Sequence, residues 1–248
     1  YENSVIQLFT EMGYKHLYGP EVERDYRSPF YDVELEESIR RINTGIPEDA
    51  IQDALFRLRN IEIGELAQKN EVFMDYLQNG IGARYYKNEE RSDIVRLIDY
   101  ANPQNNSFIV ANQWTFIENS NKRPDVILFI NGLPLVLIEL KSPSREDTDV
   151  SEAYRQLRNY MIEIPTMFVC NAICVMSDHL TSKAGTITAG EDRFMEWKTK
   201  DGSYEDTQEA KFDTFFEGMF EQERLLDIIK NFICFSNDGL ERVKILAA

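Results

Sequence analysis

The 248 residues carry a formal net charge of −16, with 43% hydrophobic and 28% charged side chains. That balance excludes disorder and suits one large domain with a sizeable core, while the acidic excess argues against nucleic-acid binding by bulk electrostatics. No apolar run approaches a membrane span, no basic-then-apolar leader is present, and a start at Tyr1 rather than Met reads as a fragment or an upstream start.

Three cysteines (Cys170, Cys174, Cys234) cannot all pair, which favours a reducing cytosol. With two histidines, His16 and His179, beside them, a structural zinc site is not expected.

In chain order, Glu2 to Met12 places Val5, Ile6, Leu8, Phe9 and Met12 on the stripe of an amphipathic helix, closed by Gly13. Glu2 falls in its first turn, where a carboxylate favours the helix dipole. Residues 20–90 read as a helical insertion: Val33 to Ile42, a helix opened by Pro47-Glu48-Asp49, and a third from about Glu65 to Leu77 stopped by Asn79-Gly80. Its mixed charges read as a solvated face, and it carries no chemistry.

From Ser92 the pattern turns to strands: SDIVRLIDY, then SFIVANQWTFI, with Asn102-Pro103 at the turn between them. Next comes the hairpin KRPDVILFINGLPLVLIELKS, Lys122 to Ser142, turning at Asn131-Gly132. Val150 to Glu163 returns to helix and Pro165 ends it. TMFVC and AICVMSD read as short strands, and Thr181 to Gly190 as a loop. Helices at about Gln208 to Met219 and Glu221 to Phe232, then an extended Glu241 to Leu246, close the chain. Strands between helical ends imply an α/β layer, with a core at about 1–19 and 91–200 and C-terminal helices at about 205–248.

The hairpin's second strand is apolar on both faces, which predicts a central, buried strand. Glu139 and Lys141 share a face at its end, and Glu and Lys are rarely buried unless paired or put to use. Asp125 opens the partner strand. Hydrolysis of a phosphodiester near neutral pH calls for a divalent cation on hard oxygen ligands. Asp125 and Glu139 suit Mg²⁺, the Leu140 carbonyl could be a third ligand, and Lys141 could orient the attacking water or offset developing charge. The converging groups carry a geometric condition. A two-residue turn in an unbulged ladder pairs Asp125 with Ile138 and turns it away from Glu139. The site therefore requires an odd loop or a bulge. On the following helix Gln156 and Tyr160, four apart, could contact a phosphate or steady Lys141.

Other candidates have plain structural readings. Asp178-His179 could be a base and its orienter, but a lone His at a strand end is more often structural. Cys170 and Cys174 read as small buried hydrophobes. Phe194 and Trp197, spaced as on one helix face, read as anchors on the core. Lys183 reads equally as a DNA or motor contact and as a surface loop residue; Lys122-Arg123 either approach a phosphate or cap a strand.

Pro124-Asp125, Glu139-Leu140-Lys141 and Gln156-x-x-x-Tyr160, in this order, resemble the PD-(D/E)xK nuclease core with its Q-x-x-x-Y addition. ENSVIQLFTEMGY, NQWTFIENSNKRPDVILFINGLPLVLIELKSPS, SEAYRQLRNYM, MSDHLTSKAGTITAGEDRFMEWK and FICFSNDGLERVKILAA extend the likeness to the N-terminal domain of the restriction (R) subunit of type I restriction-modification enzymes, over nearly the whole chain. The resemblance implies an α/β fold with a mixed central sheet flanked by helices. It implies an Mg²⁺-dependent endonuclease acting on double-stranded DNA, with Mn²⁺ a substitute, in complex with modification and specificity subunits and without a membrane. It carries over Asp125 and Glu139 as metal ligands, Lys141 as the catalytic lysine, Gln156 and Tyr160 as the accessory pair, and Glu2 as an auxiliary acid. ATP-driven motor domains would follow Ala248; this chain has no G-x-x-x-x-G-K-[ST] loop of its own. The rival from another class is a silent domain docking the motor to the modification subunits; a third reading is an RNA- or repair-directed nuclease of the same fold.

Overall fold

A computed structural model describes residues 1–87, 89–141, 150–178, 180–203 and 212–247 and, within them, the side chains outside 84–92. Helix α1 (Glu2–Glu11) leads into edge strand β1 (Lys15–Tyr18). Helices α2 (Asp32–Ile42), α3 (Glu48–Arg59) and α4 (Leu66–Asn79) follow, each burying its apolar stripe. Glu65 and Gln68 close a reciprocal capping box that starts α4.

The insertion is not wholly helical. It runs on into an antiparallel hairpin, β2 (Ile81–Lys87) and β3 (Glu89–Val95), which pairs with itself and stays outside the main sheet. Gly80, at φ 83°, lets the chain turn straight from α4 into β2.

The main sheet has the order β1, β4 (Phe108–Asn112), β7 (Val126–Ile130), β8 (Leu133–Leu140), β9 (Ile173–Ser177), β10 (Ser182–Gly185). Between β4 and β7 lies a short ribbon, β5 (Phe116–Ile117) with β6 (Asn121–Lys122). The β1–β4 and β8–β9 pairs are parallel and the other neighbours antiparallel. Every residue of β4, β7, β8 and β9 is buried. A sheet covered on both faces produces that pattern, and it explains the near-continuous apolar runs. The core on one face takes in α1, α2, α7 (Phe212–Phe220) and α8 (Gln222–Asn231) and continues into α3, which lies against the β2–β3 hairpin, and α4, which lies against β12 (Glu241–Leu246). The other packs with α5 (Val150–Glu163) and α6 (Pro165–Val169).

Four further sequence expectations are corrected. Thr166 to Val169 is helical, with Cys170 as its cap, and not extended: Pro165 sets the first turn of α6, and so short an apolar run has no period of its own to oppose it. Ser182 to Gly185, inside the expected loop, is the edge strand β10. The last extended piece, β12 (Glu241–Leu246), pairs with an unanticipated strand, β11 (Ile233–Asp238). Phe194 and Trp197 do anchor on the core but lie on no helix: Phe194 is buried in the α5-side core and Trp197 packs against the α1-side core. The beginning of the helix expected from Gln208 lies outside the described residues.

The hairpin turns in two residues, with Ile130 paired to Leu133 and both Asn131 (φ 51°) and Gly132 (φ 76°) left-handed. Such turns match the twist of the flanking strands. Asn131 is fully buried: its amide donates to the Leu97 carbonyl (2.9 Å) and Asn106 Oδ1 (2.8 Å), and its Oδ1 accepts from the Ser107 N–H (2.8 Å). A Cβ on Gly132 would lie 2.5 Å from the Leu35 nitrogen, so this turn is wedged against α2.

The required register shift sits further along. Phe129 pairs with Pro134 but Leu128 with Val136, leaving Leu135 as the extra residue of a bulge. From there Val126 pairs with Ile138, which sets Asp125 across from Glu139.

Candidate active site

The bulge divides β8 between the two cores. Leu133, Leu135, Val136, Ile138 and Leu140 enter the α1-side core, and Leu137 the α5-side core. Leu133 and Leu135 therefore do not share a face with Leu137, Glu139 and Lys141, although unbroken alternation along the strand would require it. Asp125 likewise alternates with Val126 onto the α5 side.

Asp125 Oδ2 accepts from the Leu140 N–H at 2.8 Å. The Lys141 N–H goes the other way, to the Ser177 carbonyl of β9 at 2.8 Å. In an extended strand the N–H and C=O of one residue leave on the same side. Leu140 thus turns its carbonyl toward the edge that holds Asp125.

Glu139 is 3% exposed. Its Oε1 accepts from Lys141 Nζ at 2.8 Å, while its Oε2 is buried with no hydrogen-bond partner. Leaving a buried carboxylate oxygen unpaired is costly. Burial first, and then the Asp125 charge, push the Glu139 carboxyl up to about 7; the Lys141 ammonium and the Tyr160 phenol oppose this. Asp125 is raised as well, chiefly by burial, against the Leu140 N–H and the Lys141 charge. Two carboxylates facing one ammonium make a site short of positive charge.

Helix α5 brings up Tyr160, which is buried, one turn after Gln156. Burial and then the Glu139 charge raise the Tyr160 hydroxyl above the usual phenol range, and the Gln156 amide works against them. The structure thus brings Asp125, Glu139, Lys141, Gln156 and Tyr160 to one end of the sheet. Glu2 reaches the same end from the opposite layer: it accepts from Asn112 (2.7 Å) and Gln113 (3.2 Å), and its charge bears on Asp125.

Asn112 and Gln113 are not among the residues expected from the sequence; paired amides at the end of a fully apolar strand are the available signal. Of the other candidates, Lys122 pairs with Glu163 at 2.7 Å, and Arg123 is exposed with its charge favouring ionised Asp125. Asp178 accepts from the Leu180 and Thr181 N–H groups in a turn, and His179 lies outside the described residues. Lys183 is half-buried on β10, and Cys170 and Cys174 are buried thiols.

The donor set decides which cation fits. Among the described residues no three His, Cys, Asp or Glu side chains converge into a ready-made metal cage. Two carboxylates, one with an orphaned buried oxygen, and a backbone carbonyl suit a hard cation that keeps part of its water shell, as Mg²⁺ does.

A mixed six-stranded sheet flanked by helices, with these groups gathered at one end, is consistent with a nuclease-like α/β core. The chain belongs to the family described as the type I restriction enzyme R protein N terminus, whose pattern matches residues 1–193. It is 30% identical, over its whole length, to the type I restriction enzyme HindI endonuclease subunit of Haemophilus influenzae. Two Methanocaldococcus jannaschii proteins are also similar: the putative MjaVIIIP endonuclease subunit (33% identity over 97% of this chain) and the putative MjaIXP endonuclease subunit (28% over 94%). The chain spans about a quarter of the length of these relatives, covering 25%, 23% and 25% of them in that order. No helix among the described residues is long and apolar enough to cross a membrane.

Proposed function

We propose that this chain is the Mg²⁺-dependent endonuclease domain, of the PD-(D/E)xK kind, of a type I restriction enzyme. Its substrate is the phosphodiester backbone of double-stranded DNA, in the cytoplasm. Motor domains outside the chain deliver the DNA by ATP-driven translocation, and modification and specificity subunits complete the assembly. One observation carries the reading: Glu139 Oε2 is buried without a partner on the residue that the register sets across from Asp125, with Lys141 against the other oxygen. A silent docking domain has no use for such an oxygen.

Asp125, Glu139 and the Leu140 carbonyl would hold the cation. When bound, it polarises the phosphate and lowers the pKa of a bound water. Lys141, already against Glu139, places an ammonium where negative charge grows as the P–O bond to water forms and that to the leaving oxygen breaks. Tyr160 favours the ionised form of Glu139, and Gln156 acts on Tyr160 in turn. The −16 charge keeps free duplex away, so cleavage falls to DNA that is driven in.

In the assembled enzyme, Glu139→Ala and Lys141→Ala should each abolish cleavage and leave ATP hydrolysis and assembly intact. Cleavage by both variants at the wild-type rate would refute the assignment.

A further inference from the structure

The Glu2 carboxylate belongs to the layer opposite Asp125 and Glu139 and has to be brought round the end of the sheet. We propose that Asn112 and Gln113 are positioning residues: an amide clamp that holds the Glu2 carboxylate toward Asp125, outside the direct ligand set, where it steadies the water shell of a divalent cation, with His16 fixing the clamp. The inference rests on the metal-dependent reading above.

The proton placement in the clamp is dictated by its members. Asn112 ends β4, is 6% exposed, and faces the α1 side as Phe108 and Val110 do. Its amide nitrogen lies 2.7 Å from Glu2 Oε1. An ionised carboxylate only accepts, so the amide must present N–H there and turn Oδ1 toward β1. At 2.8 Å from that Oδ1 sits His16 Nε2, which must then be the donor. The chain of bonds runs from His16 to Asn112 to Glu2, each link fixing the next.

Gln113 is built in at the expense of backbone strain. It is a residue with a Cβ at φ 56°, and its amide nitrogen stands 3.2 Å from both Glu2 oxygens. Gly19, just past β1, backs the kink so closely that a Cβ there would lie 2.5 Å from the Gln113 carbonyl oxygen. The kink follows directly on the last ladder pair, Asn112 with Val126, so Gln113 leaves the sheet beside Asp125. The Glu2 charge is felt there, where it pushes the Asp125 carboxyl up. A carboxylate that only steadied a helix dipole would need neither amide. Held by both, it loses its rotamer freedom before a cation arrives, and ligand-orienting partners of this kind commonly contribute about 10- to 100-fold in affinity.

Mn²⁺ titration calorimetry on the full-length protein without nucleotide, paired with thermal melting in chelator, tests the clamp. Gln113→Gly tolerates the left-handed kink and removes the whole side chain, its amide included. It should weaken Mn²⁺ binding about tenfold while the melting temperature in chelator holds or rises. His16→Phe should weaken binding in the same way, and His16→Gln, which restores an N–H donor, should recover it. On a Glu2→Gln background Gln113→Gly should have no further effect. Wild-type Mn²⁺ affinity in both Gln113→Gly and Asn112→Ala, with binding still abolished by Asp125→Asn, would overturn the clamp alone. Wild-type affinity in Asp125→Asn and Glu139→Gln would overturn the metal-dependent reading and the clamp with it.

Discussion

Leu135 and Val136 are consecutive on β8, yet both side chains enter the same core. That local break in alternation carries Glu139 to the face where Asp125 stands; without it the two carboxylates would lie on opposite sides of the sheet. The turn contributes nothing to the shift but holds its origin in place.

Asn131 should therefore be a stability hot spot far from the chemistry. Asn131→Ala loses the bonds to Leu97, Asn106 and Ser107 and keeps a left-handed backbone without the amide that supports it. The expected cost is about 2–4 kcal/mol. Asn131→Gly, which tolerates the backbone, should recover about 1 kcal/mol of that. Urea unfolding of the two variants measures the difference, and equal midpoints would contradict the account.

Glu139→Gln should stabilise the metal-free protein at pH 8 and not at pH 4. The folded carboxyl holds its proton up to about 7, against an ordinary 4.5. The folded state thus binds more protons across that window, and stability is fully present below 4.5 and lost as pH rises through 7. The gain from the amide is on the order of 2 kcal/mol, since Lys141 loses its partner in exchange. Melting curves in chelator at both pH values decide it; a variant less stable at pH 8 would sink the idea.

Cation binding should release a proton. Below about 7 a bound metal has to displace the Glu139 proton, so Mn²⁺ affinity should rise about tenfold per pH unit and level off above that point. Calorimetry in two buffers of different ionisation enthalpy reads the proton directly. An affinity flat from acid to pH 8 would rule out Glu139 as the ligand that titrates.

Tyr160→Phe keeps the buried ring and removes the hydroxyl that favours ionised Glu139. The cleavage rate should fall about 10- to 100-fold, and the acid limb of its pH profile should move to higher pH. A slower variant with an unmoved profile would make Tyr160 a packing residue only.

Much of this was legible in the sequence because burial and charge conflict openly at few places. Glu139 and Lys141 end a strand with no other charge, and Asn131-Gly132 is a strong turn signal. The need for a register shift could be stated from residue numbers alone. Its position could not, because Leu135 and Val136 are both apolar and either parity fits. The amides that hold Glu2 were hidden for another reason: Asn112 meets a partner 110 residues away, and short polar side chains at strand ends ordinarily face water. β2 and β11 escaped notice because each pairs only with its neighbour and alternates weakly.

The bulge also has an evolutionary consequence. It works as a parity corrector: an even sequence separation between Asp125 and Glu139 is compatible with a two-residue turn only because one residue drops out of the ladder. Loss or gain of a single residue in this hairpin need not destroy the site if the bulge disappears or forms in step. Relatives that keep the two-residue turn should therefore fall into two sets, bulged with even separation and unbulged with odd. A change of parity with no change in either the bulge or the turn would mark a lineage that has given up cutting.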